Sequence, residues 1–386
     1  MSAFNDLITF TRSTTGTYLG SDGLLKTAGV NEPRLEYDGE GNALGLLVEE
    51  ARTNKARYSR TKDAWAVNSV TIPASLDNQG IAPDGTKTAW LIPTGATEWN
   101  QRNYGIGAST LTYVWSVYVK ALSTDAVASF IGNGIHQSDI SDLYFNFATE
   151  TLSGNATNAT YTNVGNGWYR LTQTFTNNGT GTQFLLRTVT APLMTGKVLF
   201  WGAQIEEGTF PTAYIPTDGE EVTRNAEGVR VTLSDFYYRQ HHGSLVVEFT
   251  SKYAPNLDYP RLAEISNLSS SSSQTSFYVV GQNSHLEASI YDNSVYQFAN
   301  RATTSLPNNT GVYSKVAMAW ETDNAQDAYN GNAGTTDTSV TLTAERDTLA
   351  IMGRPTTTAN RLSGHVKSIQ YYPIRLSEER LEQVTA

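Results

Sequence analysis

Short runs that alternate apolar and polar residues recur from Ile8 to Pro373, and most of them close on a glycine, asparagine or aspartate. ITFTRSTTGTYLG, LLKTAG, PRLEYD and ALGLLVEE open the series, parted by Ser21-Asp22-Gly23 and by Gly39-Glu40-Gly41-Asn42. Period-two alternation sends successive side chains to opposite faces of a strand, and such turns supply the positive φ that tight hairpins need. The chain is thereby committed to antiparallel sheets with one face on a core. The convincing helix is Ser377 to Thr385, where Ser377 can cap the first turn and Glu378 and Glu379 suit its dipole.

A length of 386 residues exceeds one ordinary core and suffices for two sandwiches. Residues 1–50 read as an N-terminal β-meander for assembly, too short to stand alone and so expected to pack on a neighbouring domain or subunit. Residues 51–217 form a first sandwich, with strands in TLTYVWSVYVKA, DLYFNFAT, NGWYRLTQTFTN, TQFLLRTV and KVLFWGAQIEE. In the last of these, Leu199, Trp201, Ala203 and Ile205 share the expected core face. Residues 218–230 are polar and acidic enough to be a linker, and residues 231–386 make a second sandwich. The fold class is all-β: a meander, two antiparallel β-sandwiches and one short C-terminal helix.

Charged residues are only 17% of the chain, while 21 tyrosines and 31 glycines accompany abundant Thr, Ser and Asn, the usage of turn-rich β-structure. A formal net charge of −10 repels phosphate backbones and anionic headgroups, so no nucleic-acid partner is expected. The absence of cysteine removes disulfides, thiol nucleophiles and zinc–thiolate sites, which suits a bacterial or viral origin better than a secreted animal lectin. No run of about 18 apolar residues suggests membrane insertion. MSAFNDLITF lacks a basic segment followed by a long apolar one, so synthesis without a signal peptide is expected.

Two acidic doublets, Glu49-Glu50 and Glu206-Glu207, raise the question of hydrolysis. Glycosidases hold two carboxylates about 5 to 9.5 Å apart across a cleft, whereas neighbours on a strand face opposite ways. Neither doublet is a catalytic pair by itself, and strand ends followed by turns explain both. His136, His241, His242, His285 and His365 show no chelating spacing, and no Gly-x-Ser-x-Gly elbow occurs. No metal and no cofactor are expected.

The aromatic residues carry more promise. Sugar rings stack on tyrosine and tryptophan while their hydroxyls pair with amides, carboxylates and guanidinium groups, so a glycan site interleaves rings with planar polar groups. Trp99, Asn100, Gln101, Arg102 and Tyr104 form one such cluster. Tyr144, Asn146, Arg187 and Gln204 would line a concave sheet if their strands are neighbours. Tyr291, Asp292, Asn293 and Tyr296 form a turn-borne third group. Trp65, Trp115, Trp168, Trp201 and Trp320 read as core.

The pattern ITFTRSTTGTYLGSDGLLKTAGVNEPRLEYD with GLLVEEARTN resembles a meander at the front of tailed-bacteriophage tail proteins. ARYSRTKDAWAVNSVTIPA, YVWSVYVKA, NVGNGWYRLTQTFT and WGAQIEEGTFPTAYIPT resemble the carbohydrate-binding-module-like jelly rolls of such virion proteins. GSLVVEFT, SKVAMAWETDNAQDAYNG and GHVKSIQYYPIRLSEERLEQVT resemble a concanavalin A or laminin-G-like sandwich. The resemblance implies a tail fibre, tail spike or tail-associated protein that attaches to host-surface polysaccharide without catalysis. Its setting would be the virion, made in the host cytoplasm, and its partners other virion proteins and further copies of itself, a homotrimer being favoured. The rivals are a capsid or tail decoration or spacer protein without a ligand, and a polysaccharide depolymerase. A concanavalin-like hydrolase of the E-x-D-x-x-E type would show clustered acids, but Glu264, Glu287, Asp292 and Glu321 stand singly in their strands.

Overall fold

The computed structural model describes residues 7–60, 66–67, 70–71, 78–91, 100–105, 110–134, 141–177, 183–188, 197–253, 259–280, 284–354 and 361–386. The described chain is nearly all antiparallel β-sheet, with one short C-terminal helix, Glu378–Thr385, capped by Ser377 as its sequence requires.

The first sandwich opposes two sheets. One runs in the order Ala159–Asn163, Trp168–Thr176, Thr112–Ala121, Val198–Glu207, Trp90–Leu91. The other runs Thr151–Gly154, Ser141–Asn146, Val127–Gly134, Gln183–Thr188, Asn100–Gly105, Ala66–Val67, Val70–Thr71. Between them pack Trp115, Val117, Val119, Leu171, Phe200 and Ile205 with Ala128, Leu143 and Phe145. The strand Val198–Glu207 departs from the simple alternation expected of it. Its pairing with Thr112–Ala121 slips between Ser116 and Tyr118, where Gly202 takes a φ of 66°. A bulge inserts one residue and reverses the faces beyond it. Val198 and Phe200 therefore share the inner core with Ala203 and Ile205, while Leu199 and Trp201 turn to a second cluster on the outside of the sheet.

The second sandwich opposes two seven-stranded sheets, and the N-terminal segment supplies strands to both. Ile8–Thr11 pairs with Gly228–Thr232 at the edge of a sheet that continues through Thr348–Ile351, Arg261–Asn267, Ser270–Val280, His285–Asp292 and Val295–Ser305. Arg34–Tyr37 and Ala43–Val48 extend the opposite sheet beside Gly364–Tyr372, which leads on through Gly243–Phe249, Ser314–Glu321 and Asn324–Tyr329 to Asn332–Ala333. Phe10, Leu46 and Val48 enter its core beside Val247, Phe277, Met318 and Trp320. What reads in sequence as a separate meander packed on a neighbour instead gives most of its strands to the edges of the second sandwich. The exception is the hairpin Gly16–Leu19 and Leu25–Ala28, whose Leu19 and Leu25 pack on Trp201 and Tyr214 outside the first sandwich.

The acidic stretch 218–230 is not a linker. Val222–Arg224 pairs with Arg52–Asn54, and Glu227 is fully buried. The Glu227 carboxylate receives Arg12 Nη1 at 2.6 Å and Arg34 Nη2 at 2.7 Å. Arg34 Nη2 also reaches Glu49 Oε2 at 2.9 Å, which Arg224 Nη2 approaches at 3.3 Å. Partners some 200 residues away neutralise these charges, so local polarity misstates their burial.

Candidate functional site

The sheet that ends in Val295–Ser305 has a mainly apolar inner face, with Thr275 between Ile265 and Ile290, and a polar outer one. Ala263, Ile265, Phe277, Ala288 and Ile290 point inward to the core. The residues between them point outward, as the pleat demands. Register then assembles residues that are distant in sequence: Gln274 lies opposite Tyr291, and Tyr278 opposite both Arg261 and Glu287. Glu287 faces Arg301, and Tyr291 faces Tyr296. Together with Tyr259 and Arg354 these side chains line an open depression of about 510 Å³.

Four phenol rings define its shape. Tyr291 and Tyr296 meet edge-to-face with centroids 5.0 Å apart, and Tyr259 meets Tyr278 likewise at 5.6 Å. Tyr296 is 63% exposed and Tyr259 is 50% exposed, so both present rings to solvent. Tyr259 also holds a φ of 53°, a conformation costly for an aromatic residue and typical of places where surrounding structure imposes it. The Arg261 guanidinium lies over the Tyr278 ring at 4.1 Å from its centroid.

Charge is arranged as carefully as shape. Arg261 Nε donates to Glu264 Oε2 at 3.1 Å, and Arg354 Nε stands 3.3 Å from the same oxygen. Ser266 Oγ donates to the other oxygen of Glu264 at 3.3 Å. Glu287 accepts from the Tyr278 hydroxyl and from Arg301 Nη2, the latter at 3.0 Å. Burial, and after it the Glu287 carboxylate, pushes the Tyr278 phenol well up, so this ring stays a neutral donor. Glu264 and Glu287 are held by partners, whereas Arg261 Nη1 and Gln274 Oε1 are buried without a hydrogen-bond partner among the described residues.

The three sequence-derived groups fare differently. Tyr291 and Tyr296 are in the pocket, but Asp292 and Asn293 are not. Asp292 is buried: its Oδ2 accepts from the Thr343 backbone N–H at 2.8 Å and hydroxyl at 2.9 Å, and its Oδ1 accepts from the Ala344 N–H at 3.1 Å. Asn293 has a φ of 47°, Ser294 one of 68°, and the two make the hairpin turn. Gln204 belongs to the other sheet from Tyr144, Asn146 and Arg187, so these four do not line one surface. Gln204 is buried, donating to Glu206 Oε1 at 2.9 Å and accepting from the Ile215 N–H at 2.7 Å. Asn146 Oδ1 accepts from the backbone of Ala148 and Thr149, closing a turn. Tyr144 is half-buried, and burial, then the neighbouring Asp142, raises its phenol. Trp99, and the side chains of Asn100, Gln101, Arg102, Tyr104 and Arg187, lie outside the described residues; register sets Gln101 opposite Arg187. Trp115, Trp168, Trp201 and Trp320 are buried, and Trp65 is outside the described residues.

The remaining pocket residues were missed because their strands looked solitary one by one. A signal was present: Gln274, Ser276, Tyr278 and then Glu287, Ser289, Tyr291 repeat a polar–small–polar face at period two.

The acidic doublets have structural employment. Glu49 and Glu206 are buried, the latter accepting from Thr212 N–H at 2.9 Å and its hydroxyl at 2.6 Å. Burial pushes the Glu50 carboxyl up against the pull of Arg52, with which it pairs. A second cavity, of about 490 Å³, lies where the N-terminal segment meets both sandwiches. There His365 Nε2 is 2.8 Å from Glu36 Oε2, and Arg170 Nη1 donates to Thr212 O at 2.7 Å. No group of three His, Asp or Glu side chains among the described residues could hold a metal ion.

No protein-family model and no curated protein matches the sequence. Among solved structures, a carbohydrate-binding module (CBM40) of the Ruminococcus gnavus IT-sialidase is 15% identical, with 38% of this chain and 84% of that one covered at a TM-score of 0.33. Domain 4 of AbnA, a GH43 extracellular arabinanase from Geobacillus stearothermophilus, is 12% identical over 46% and 82% at 0.35. A heptameric SAP-like pentraxin from Limulus polyphemus is 13% identical over 38% and 70% at 0.32. These similarities are too remote to transfer a ligand, a site or an assembly.

Proposed function

We propose that the chain binds glycans without catalysis, through the tyrosine–arginine pocket of the second sandwich. The observation that carries this reading is the pairing of solvent-facing Tyr259 and Tyr296 with planar polar groups in one open depression. Rings offer faces for sugar C–H groups, and Gln274 and the arginines offer directed bonds to hydroxyls. Hydrolysis would need one carboxyl to hold a proton and a second to attack or to activate water. Glu264 and Glu287 are instead tied to Arg261, Arg354, Ser266, Tyr278 and Arg301, which leaves neither free for that work.

The wider setting follows from the sequence resemblance: a component of a tailed-phage virion, of the fibre, spike or tail-associated kind, that attaches to host-surface polysaccharide. Several copies facing one surface would turn weak single sites into useful avidity.

The deciding experiment titrates the full chain with oligosaccharides from bacterial surface polysaccharides, alongside a Tyr291→Ala/Tyr296→Ala variant. Binding by the parent and its loss in the variant, with no release of reducing ends, is expected. Cleavage abolished by a single Glu or Asp replacement would replace this reading with a depolymerase. A folded parent that binds no glycan would leave a spacer.

A further inference from the structure

The pocket's charges do not balance. Arg301 is matched by Glu287, but Arg261 and Arg354 both lean on one oxygen of Glu264. Among the described residues, three guanidinium groups thus face two carboxylates, a local excess of one positive charge in a chain whose formal total is −10. Arg261 is only 5% exposed, and its Nη1 has no hydrogen-bond partner among the described residues. A buried guanidinium N–H left unpaired is expensive, and an oxyanion satisfies it with a charge-assisted bond. Burial first, and then the nearby Arg354, lowers the Arg261 pKa, so the two cations are already crowded. Few neutral sugars could relieve that repulsion, because a hydroxyl accepts a bond but brings no charge.

Resting on the glycan-binding reading above, we infer that the preferred ligand is an acidic saccharide. Its oxyanion sits against Arg261 and Arg354, and its ring lies toward Tyr291 and Tyr296. A carboxylate and a sulfate ester share the required chemistry, since both offer two oxygens to the guanidinium fork. The negative surface elsewhere disfavours anions at a distance, so discrimination arises from contact inside the pocket rather than from long-range attraction.

The test uses paired probes that differ in charge alone. Oligogalacturonate, oligoglucuronate and oligomannuronate are each titrated as the free acid and as the methyl ester, beside galactose oligomers with and without a sulfate. At least one acid is expected to bind tenfold or more tighter than its neutral partner, the uronate and sulfate arms showing which oxyanion is read. Arg354→Gln, at a partly exposed position, should shrink that ratio toward one by weakening the acid far more than its neutral partner, with circular dichroism checking that the variant is folded. Arg261→Lys, which keeps the charge but not the fork, should lose most of the preference too. Equal affinities for acid and ester, with both lost in the Tyr291→Ala/Tyr296→Ala variant, would overturn the acidic preference and leave glycan binding standing. No binding of any probe or surface oligosaccharide would overturn both.

Discussion

Asp292 and Tyr296 are four residues apart on one hairpin and serve different ends. Asp292 is 3% exposed and pins the 343–344 segment to the turn; Tyr296 offers its ring to solvent. Asp292→Ala should therefore cost about 1 to 3 kcal/mol, because it strands two backbone N–H groups and a hydroxyl. Tyr296→Ala should leave the denaturation midpoint in urea near that of the parent, while weakening glycan binding roughly threefold to tenfold, the worth of one aromatic contact. Urea unfolding and calorimetric titration of both variants check this, and a reversed pattern would exchange their roles. Sequence grouped the two because each adjoins a turn. It could not divide them, since the division depends on whether the partner strand or an incoming loop meets each side chain.

At the level of the element, the strand Val198–Glu207 shows how far alternation can be trusted. Its existence and ends were legible, but its faces were not, because the bulge at Gly202 exchanges them halfway. A β-carbon at this position would lie 2.8 Å from Tyr118 Cδ2, and φ is 66°. Gly202→Ala is thus expected to destabilise by roughly 1 to 3 kcal/mol, from backbone strain together with the clash. Gly311 makes the proper control: its φ is 73°, but nothing lies within 4 Å of the added carbon. Gly311→Ala should show the backbone cost of about 1 kcal/mol alone. Thermal denaturation of the two variants separates strain from contact, and equal losses would mean that Tyr118 yields freely.

For the whole molecule, the buried network of Arg12, Arg34, Glu49, Arg224 and Glu227 joins segments that the sequence assigned to two separate units, the meander and the linker. Glu49 Oε1 also accepts from the Ala213 N–H at 2.8 Å, which ties the first sandwich to the same cluster. Removing one partner from such a network leaves an uncompensated buried charge, so Glu227→Gln should cost about 3 to 5 kcal/mol. Burial alone would raise the Glu49 carboxyl, but the charges of Arg224 and then Arg34 outweigh it and hold it far below the ordinary range. The unfolded chain titrates this group near pH ~4.3. Its contribution is therefore complete above that pH and drains away as the pH falls below it. The urea midpoint should fall between pH 5 and pH 3 in the parent and fall less in Glu49→Gln; parallel curves would show that other carboxylates dominate.

The sequence by itself determined that this chain is β-structure, where most strands begin and end, that Trp115, Trp168, Trp201 and Trp320 are buried and how the last helix is capped. All of these are local: a pleat, a turn and a cap are set by residues within a few positions of one another. Tertiary structure alone decided that strands Ile8–Thr11, Arg34–Tyr37 and Ala43–Val48 complete the second sandwich, that Glu227 is a buried counterion and that seven scattered polar residues share a pocket with Tyr291 and Tyr296. Those outcomes hang on cross-strand register and on ion pairs spanning some 200 residues, and no local pattern records which strand will lie beside which.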